Sequence, residues 1–292
     1  MIHTGTAGWS YPDWEGVVYP RHRSPSFHPL RHLAHYIECV EVNSTFYAHP
    51  SREVVAGWSR VLAGRPNFLL TAKLHRDFTH AEALATDAQA SASAFLAALE
   101  PIASTGRLRA LLAQFPISFQ YGASELRRLS RLHALFPSVP LILELRHASW
   151  FQPPALNAIR GLACSLAHID LPPAWNHPPT WFPACGHLGY LRLHGRNKSA
   201  WFDARAGRDQ KYDYLYSESE LSELATRATR IAKEHDETFV ITNNHFTGKA
   251  LVNALQLIAR LRGQPTLAPA ELVHAYPELR KCTRHEGQQE LF

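Results

Sequence analysis

The stretch Leu141-Ile142-Leu143-Glu144-Leu145-Arg146 decides how this chain is read. Consecutive aliphatic residues suit a strand buried on both faces, and the run closes on two charged residues two positions apart, which on a strand share one face. Seven further runs have this form, over 2–8, 39–43, 68–74, 108–115, 162–170, 188–194 and 238–244. Six of them end in groups able to do chemistry: Glu41 and Asn43, Lys73, Gln114, His168 and Asp170, Arg192 and His194, Asn243 and Asn244. The first ends instead in Gly8-Trp9-Ser10. Polar groups gathered at the carboxyl ends of parallel strands describe the mouth of a (β/α)₈ barrel, where such enzymes keep their active sites.

Between the runs, apolar residues recur at three- and four-residue spacing over 29–37, 51–63, 87–99, 124–136, 154–160, 217–235 and 248–261, which predicts helices. Ser217-Glu218-Ser219-Glu220 has the form of a capping box. Alternating strands and helices predict a parallel α/β sheet, and eight strands favour a closed (β/α)₈ TIM barrel over an open doubly wound sheet. The expected organisation is one barrel domain over 1–263, followed by a short C-terminal extension over 264–292. Three strand-to-helix connections, 9–27, 171–187 and 195–216, are long and should wall the mouth. The proline-rich 171–187 stretch stands where a sixth helix would be.

With 292 residues, 46% hydrophobic and 19% charged, the chain has material for a large core and does not have the composition of a disordered protein. No apolar stretch is long enough for a bilayer span, and the start lacks a secretory signal pattern. The four cysteines, Cys39, Cys164, Cys185 and Cys282, show no close pairing, so a reduced, cytoplasmic setting is expected. The net charge of +5 mildly favours an anionic ligand or nucleic acid. Walker, GxGxxG, HExxH and GxSxG motifs are missing, so no nucleotide cofactor is expected.

Glu41/Asn43, Thr71/Lys73, Glu144/Arg146, His168/Asp170 and Arg192/His194 are same-face pairs. Under the helices such charges would be buried at a cost of several kcal/mol unless paired, so all are expected to face the mouth. The catalytic candidates are Glu41, Lys73, Glu144, Asp170 and His194. Glu144 or Glu41 would serve as general base and His194 as proton-transfer partner, with Lys73, Arg146 and Arg192 clamping an anion. Expected substrate contacts are Trp9, Asn43, His80, Gln114, Arg146, His147, Trp150, Arg192, Arg196, Tyr212, Asn243 and Asn244. The competing reading makes Glu144 with Arg146, or Asp170 with Arg192, ion pairs that stitch the rim. No metal or cofactor is expected. Glu41, Glu144, His168, Asp170 and His194 are nevertheless ligand types suited to a divalent metal, opposed by three neighbouring cations. In the 195–216 loop, Arg196, Lys198, Arg205, Arg208 and Lys211 alternate with Trp201, Phe202, Tyr212, Tyr214 and Tyr216. That mixture suits a phosphate backbone with unstacked bases, a sugar ring, or a lid packed on the barrel.

Taken in order, several signatures resemble the YecE-like TIM-barrel family of unknown function. They are Gly5-Thr6-Ala7-Gly8-Trp9-Ser10-Tyr11 with Trp14 and Tyr19-Pro20, then Glu41-Val42-Asn43-Ser44-Thr45-Phe46-Tyr47, Lys73 with Thr79-His80, and Gln114-Phe115-Pro116. Glu144-Leu145-Arg146-His147 with Trp150, Arg192-Leu193-His194-Gly195-Arg196, and Asn243-Asn244 with Ala250 and Asn253-Ala254 continue the series. The resemblance covers about 4–258, with Ala7 standing where the family usually has serine. It implies a barrel similar to those of endonuclease IV and xylose isomerase, and implies no reaction. The final residues, Gln288-Gln289-Glu290-Leu291-Phe292, resemble the short peptide by which bacterial repair proteins dock onto the sliding clamp, with Gln289 in place of an aliphatic residue. Docking through Gln288, Leu291 and Phe292 is the expected partnership, with no membrane.

The expected function is an enzyme, a hydrolase or lyase, acting on a phosphate-bearing substrate such as nucleic acid or a nucleotide. A sugar-directed hydrolase or isomerase is the first alternative. A non-catalytic nucleic-acid or clamp-binding module is the second.

Overall fold

A computed structural model describes residues 1–285. Gln288, Leu291 and Phe292, on which the docking expectation rests, lie outside the described residues. Nine parallel strand segments build a nearly closed barrel: β1 (Ile2–Ala7), β2 (Cys39–Val42), β3 (Leu69–Lys73), β4 (Leu108–Gln114), β5 (Leu141–Glu144), β6 (Ser165–Leu166), β7 (His168–Asp170), β8 (Leu188–Leu193) and β9 (Glu237–Thr242). Neighbours follow chain order from β1 to β6, and β9 joins β1 to β8 and β7. The sixth of the expected strands is therefore present in two halves. β6 pairs with β5 and β7 pairs with β8, so this one stretch of chain crosses the gap between the two sides. Three bonds hold the crossing among the described residues: Ala167 N donates to Leu143 O at 2.9 Å, Leu166 N to Cys185 O at 3.2 Å, and Leu188 N to Ser165 Oγ at 3.0 Å.

Helices Arg52–Val61, Ala88–Ala103, Ala123–Leu135, Pro153–Gly161, Glu218–Ala232 and Lys249–Arg262, with the short Pro29–Leu33, follow the expected positions. Ser217 and Glu220 form the capping box read from the sequence. Among the described residues no helix intervenes between β7 and β8, where the prolines stand. After the last barrel helix, Thr266–Ala268 pairs in parallel with Thr283–His285, and Ala268, Leu272, Val273 and Leu279 join the main apolar core. No helix among the described residues is long and apolar enough to cross a membrane.

Alternation along the strands sorts the core. Ala7, Cys39, Ala110, Leu112, Ile142, Ala167, Leu188, Tyr190, Phe239 and Ile241 fill the barrel interior. Val40, Val42, Leu70, Ala72, Leu111, Ala113 and Leu143 pack outward on helix residues such as Phe95, Leu99 and Leu129. Gly5 faces inward where β1 meets β2. A Cβ there would stand 1.8 Å from Cys39 O, so the strands reach this separation only around a glycine.

Candidate active site at the barrel mouth

Four strands, β2, β4, β5 and β8, deliver a side chain to the floor of the mouth by the same parity that fills the interior. Continuing two residues beyond Cys39, Leu112, Ile142 and Tyr190 gives Glu41, Gln114, Glu144 and Arg192. Arg192 is the centre of the floor. Its guanidinium donates to Glu41 Oε1 at 2.7 Å and also bonds Glu144 Oε2. Arg146 Nε donates to Glu144 Oε1 at 2.7 Å, and Tyr190 OH donates to Glu41 Oε2 at 2.9 Å. Burial would raise the Glu144 carboxyl, but Arg192, Arg146 and His194 together hold it well below the usual carboxylate range. His194 is fully buried. Burial lowers its imidazole to about 4 against the raising influence of Glu144. Asn243 Nδ2 donates to His194 Nδ1 at 3.0 Å, which places the ring hydrogen on Nε2, 3.4 Å from Glu144 Oε1.

Above this floor opens a cavity of about 550 Å³. Trp9, Tyr11, Phe46, Tyr47 and Tyr212 form its walls, Ser10, Asn43, Ser44, Gln114 and Asn243 supply neutral polar groups, and Lys73, His80, Arg192, Arg208 and His245 supply the basic ones. None of its lining residues is Asp or Glu. Lys73 Nζ donates to Gln114 Oε1 at 2.6 Å and stands 3.9 Å from the centre of the Phe46 ring. Burial, with Arg192 beside it, lowers this amine to about 7 despite Glu144 and Glu41. His80 is lowered to about 4 by burial and then by Lys73.

Of the residues read from the sequence, Trp9, Asn43, Lys73, His80, Gln114, Arg192, Tyr212 and Asn243 line the cavity. Glu41, Glu144, Arg146 and His194 form the ion-paired layer beneath and beside it. The remaining candidates stand elsewhere. On the sixth strand Ala167 is the inward residue, so His168 and Asp170 face the helices. Asp170 accepts two bonds from Arg196, at 2.9 and 2.6 Å, and one from Tyr216 OH at 2.7 Å, with Arg227 Nη1 3.7 Å away. The condition under which outward charge is tolerable, pairing, is met here, and Arg196 is consumed by it together with Glu220 and Glu223. The Asp170–Arg192 pairing does not form; Arg192 takes Glu41 and Glu144 instead. His168 stacks on Phe182 at 3.8 Å, and burial lowers its imidazole to about 2. Trp150 is fully buried, donates to Phe119 O at 2.7 Å and stacks on the Phe119 ring. His147 accepts from Ser149 N and caps a short turn. Asn244, one residue out of phase with Asn243, donates to Tyr214 O and Asn253 Oδ1.

The metal alternative fails on the same geometry. Its five proposed ligands are split between two faces of the wall, and the Arg192 guanidinium fills the space between Glu41 and Glu144 that a cation would need. Among the described residues no three or more His, Cys, Asp or Glu side chains are arranged to hold a metal ion.

Tyr190 and His245 are not among the expected site residues, nor are Ser10, Tyr11, Ser44, Phe46 and Tyr47, and Arg208 is expected only as one of the basic residues of the 195–216 loop. The first two were legible. Tyr190 precedes Arg192 by two, and His245 follows Asn243 by two, so same-face spacing includes both. Tyr190 also bonds Thr71 Oγ1 at 2.8 Å, while His245 stacks under Tyr11 at 4.5 Å. Phe46 ends the short 3-10 turn Ser44–Phe46 and Arg208 opens the short helix Arg208–Tyr212, where strand parity gives no direction.

Because burial lowers His194, His168 and His245 below the ordinary imidazole value, these groups bind fewer protons folded than unfolded. Their contribution is complete above about 6.5 and is lost as the pH falls toward 4. Guanidinium unfolding at pH 7, 5.5 and 4.5 should give falling stability across that window. A flat profile would show that these imidazoles titrate normally in the folded protein.

The geometry stands beside four similarities. A family described as "Protein of unknown function DUF72" matches residues 3–275. The UPF0759 protein YunF of Bacillus subtilis is 26% identical over 285 residues, covering 93% of this chain and 99% of that protein. A DUF72 family protein from Thermotoga maritima is 31% identical, with 90% of this chain and 99% of that chain covered and a TM-score of 0.77. A DUF72 family protein from Enterococcus faecalis is 26% identical, with 90% and 96% covered and a TM-score of 0.78. Barrel, ordered motifs and whole-chain similarity agree with the resemblance read from the sequence, and the chain belongs to the DUF72 family of proteins of unknown function.

Proposed function

We propose that this protein is an enzyme acting on a small phosphate-bearing substrate, of nucleotide or sugar phosphate size, by acid–base chemistry at the barrel mouth. The observation that carries this reading is the lining of the cavity, which presents Lys73, Arg192 and Arg208 and no acidic side chain. A volume of about 550 Å³ lies in the range of small-ligand sites, and the aromatic walls suit a sugar or base ring. Glu41 and Glu144 act from beneath by fixing Arg192, rather than as the general base. The Glu144 carboxylate, held so low, is a poor proton acceptor near neutral pH, whereas an amine near 7 is well matched to proton transfer. A cavity with polar groups on its floor gives less support to a scaffold without chemistry.

Titration calorimetry with ribose 5-phosphate, a nucleoside monophosphate, unphosphorylated ribose and inorganic phosphate tests the reading. The phosphorylated ligands should bind, and Arg208→Ala should weaken them roughly 10- to 100-fold, the worth of one charge-assisted bond. Equal affinity for ribose and ribose 5-phosphate would instead favour the sugar-directed alternative.

A further inference from the structure

We infer that the Lys73 amine is a nucleophile that captures the carbonyl carbon of a phosphate-bearing aldehyde or ketone as an imine. The inference rests on the proposed phosphate-bearing substrate and names the group on it that reacts.

The geometry isolates this amine from negative charge. Two carboxylates stand near enough to influence it, and both are engaged by Arg192, which leaves Lys73 with the neutral Gln114 carboxamide as its hydrogen-bond partner. Among the described residues no acidic side chain is ion-paired with Lys73, whereas Lys249 is paired with Asp213. On its other side lies the Phe46 ring, which offers no proton acceptor of ordinary strength. An ammonium in this position keeps the cation–π attraction of the Phe46 face and the pull of the two engaged carboxylates, but burial and two guanidiniums nearby outweigh these. Lowering of the amine to about 7 agrees with this arrangement. One N–H is spent on Gln114 Oε1, which orients the nitrogen, and Lys73 lines the open cavity where a substrate carbonyl would lie.

The chemistry balances without a further reactant. The nitrogen lone pair attacks the carbonyl carbon, and the C–O π pair moves to oxygen. Both amine hydrogens then leave with that oxygen as one water, and a C=N bond remains. No electrons are gained or lost. Ring-opened sugar phosphates and abasic sites in nucleic acid share this aldehyde-beside-phosphate chemistry.

The test is borohydride trapping with the full chain. Ribose 5-phosphate in one arm, and single-stranded DNA with one abasic site in the other, are incubated with protein, reduced, and mapped by mass spectrometry of peptides. Reduction of the imine adds the mass of the aldehyde less one oxygen atom. Lys73 should carry the adduct at least 10-fold faster than exposed Lys198, with a pH midpoint near 7 instead of the usual lysine value of about 10.4. Lys73→Arg should abolish the adduct, Lys198→Arg should leave it, and Gln114→Ala should slow it while the fold persists by circular dichroism. The faster arm identifies the source of the carbonyl. Labelling spread evenly over the lysines, or a midpoint near 10.4, overturns the inference. Glycerol 3-phosphate has no carbonyl and serves as the control. If it binds and Lys73 is never trapped, imine capture is wrong and the phosphate reading stands. If it does not bind and nothing is trapped, both fail.

Discussion

Arg192→Ala is expected to cost about 3–5 kcal/mol of folding stability at pH 7, the range for removing one partner of a buried charge network. The guanidinium is fully buried and joins Glu41 on β2 to Glu144 on β5, two carboxylates on opposite sides of the interior. Without it both would remain in the low-dielectric floor, with Tyr190 and Arg146 as partial partners. The pH dependence identifies the cause. In the native protein Glu144 is held low, so its contribution is present above the unfolded carboxyl value and lost as the pH falls through the folded one. In the variant the same carboxyl lacks its main counter-ion and binds protons more readily folded than unfolded, so acidification relieves the damage. The gap between the two proteins in guanidinium unfolding should therefore narrow from pH 7 to pH 5. Adding Glu41→Gln and Glu144→Gln to Arg192→Met should restore much of the loss. A cost below about 1 kcal/mol at pH 7, with no change on acidification, would mean that Arg192 does not neutralise the floor.

That network shows what the sequence could disclose and where it stopped. Strand positions were legible because burial on both faces demands runs such as Leu141-Ile142-Leu143, and polar ends mark where a strand leaves the core. Parity was legible for β2, β5, β8 and β9, where Glu41, Glu144, Arg192 and Asn243 share the face of interior apolar residues. Who pairs with whom was not. Spacing along one strand says nothing about which strand lies across a barrel of this width, so the bridge Glu41–Arg192–Glu144 emerges only in three dimensions. The shift of general-base potential from the glutamates to Lys73 follows from that bridge, because the same guanidinium that neutralises the acids leaves the amine without an ion pair.

The sixth strand gives the sharpest contrast, and Asp170→Ala is its test. His168 and Asp170 have the spacing of a mouth pair, yet the crossing at Ala167 turns Ala167 inward and both polar residues toward the helices. No single-strand pattern separates these outcomes, since an inward and an outward register of the same residues look alike until a partner is known. The partners are Arg227, largely buried on helix Glu218–Ala232, and Arg196 and Tyr216 at either end of the loop after β8. Removing the carboxylate leaves Arg227 and Arg196 facing each other without their shared anion. The expected cost is again about 3–5 kcal/mol. Arg196 is partly exposed, and without it Asp170 keeps Arg227 and Tyr216, so Arg196→Ala should cost less. A double-mutant cycle between the two should return a coupling of roughly 1 kcal/mol or more. Ligand affinity separates this role from a catalytic one. Asp170→Ala, studied below its unfolding temperature, should bind ribose 5-phosphate as the native protein does, because the residue lies on the far side of the wall from the cavity. A variant that folds with native stability and loses that binding would return Asp170 to the active site and displace the register assigned to the sixth strand.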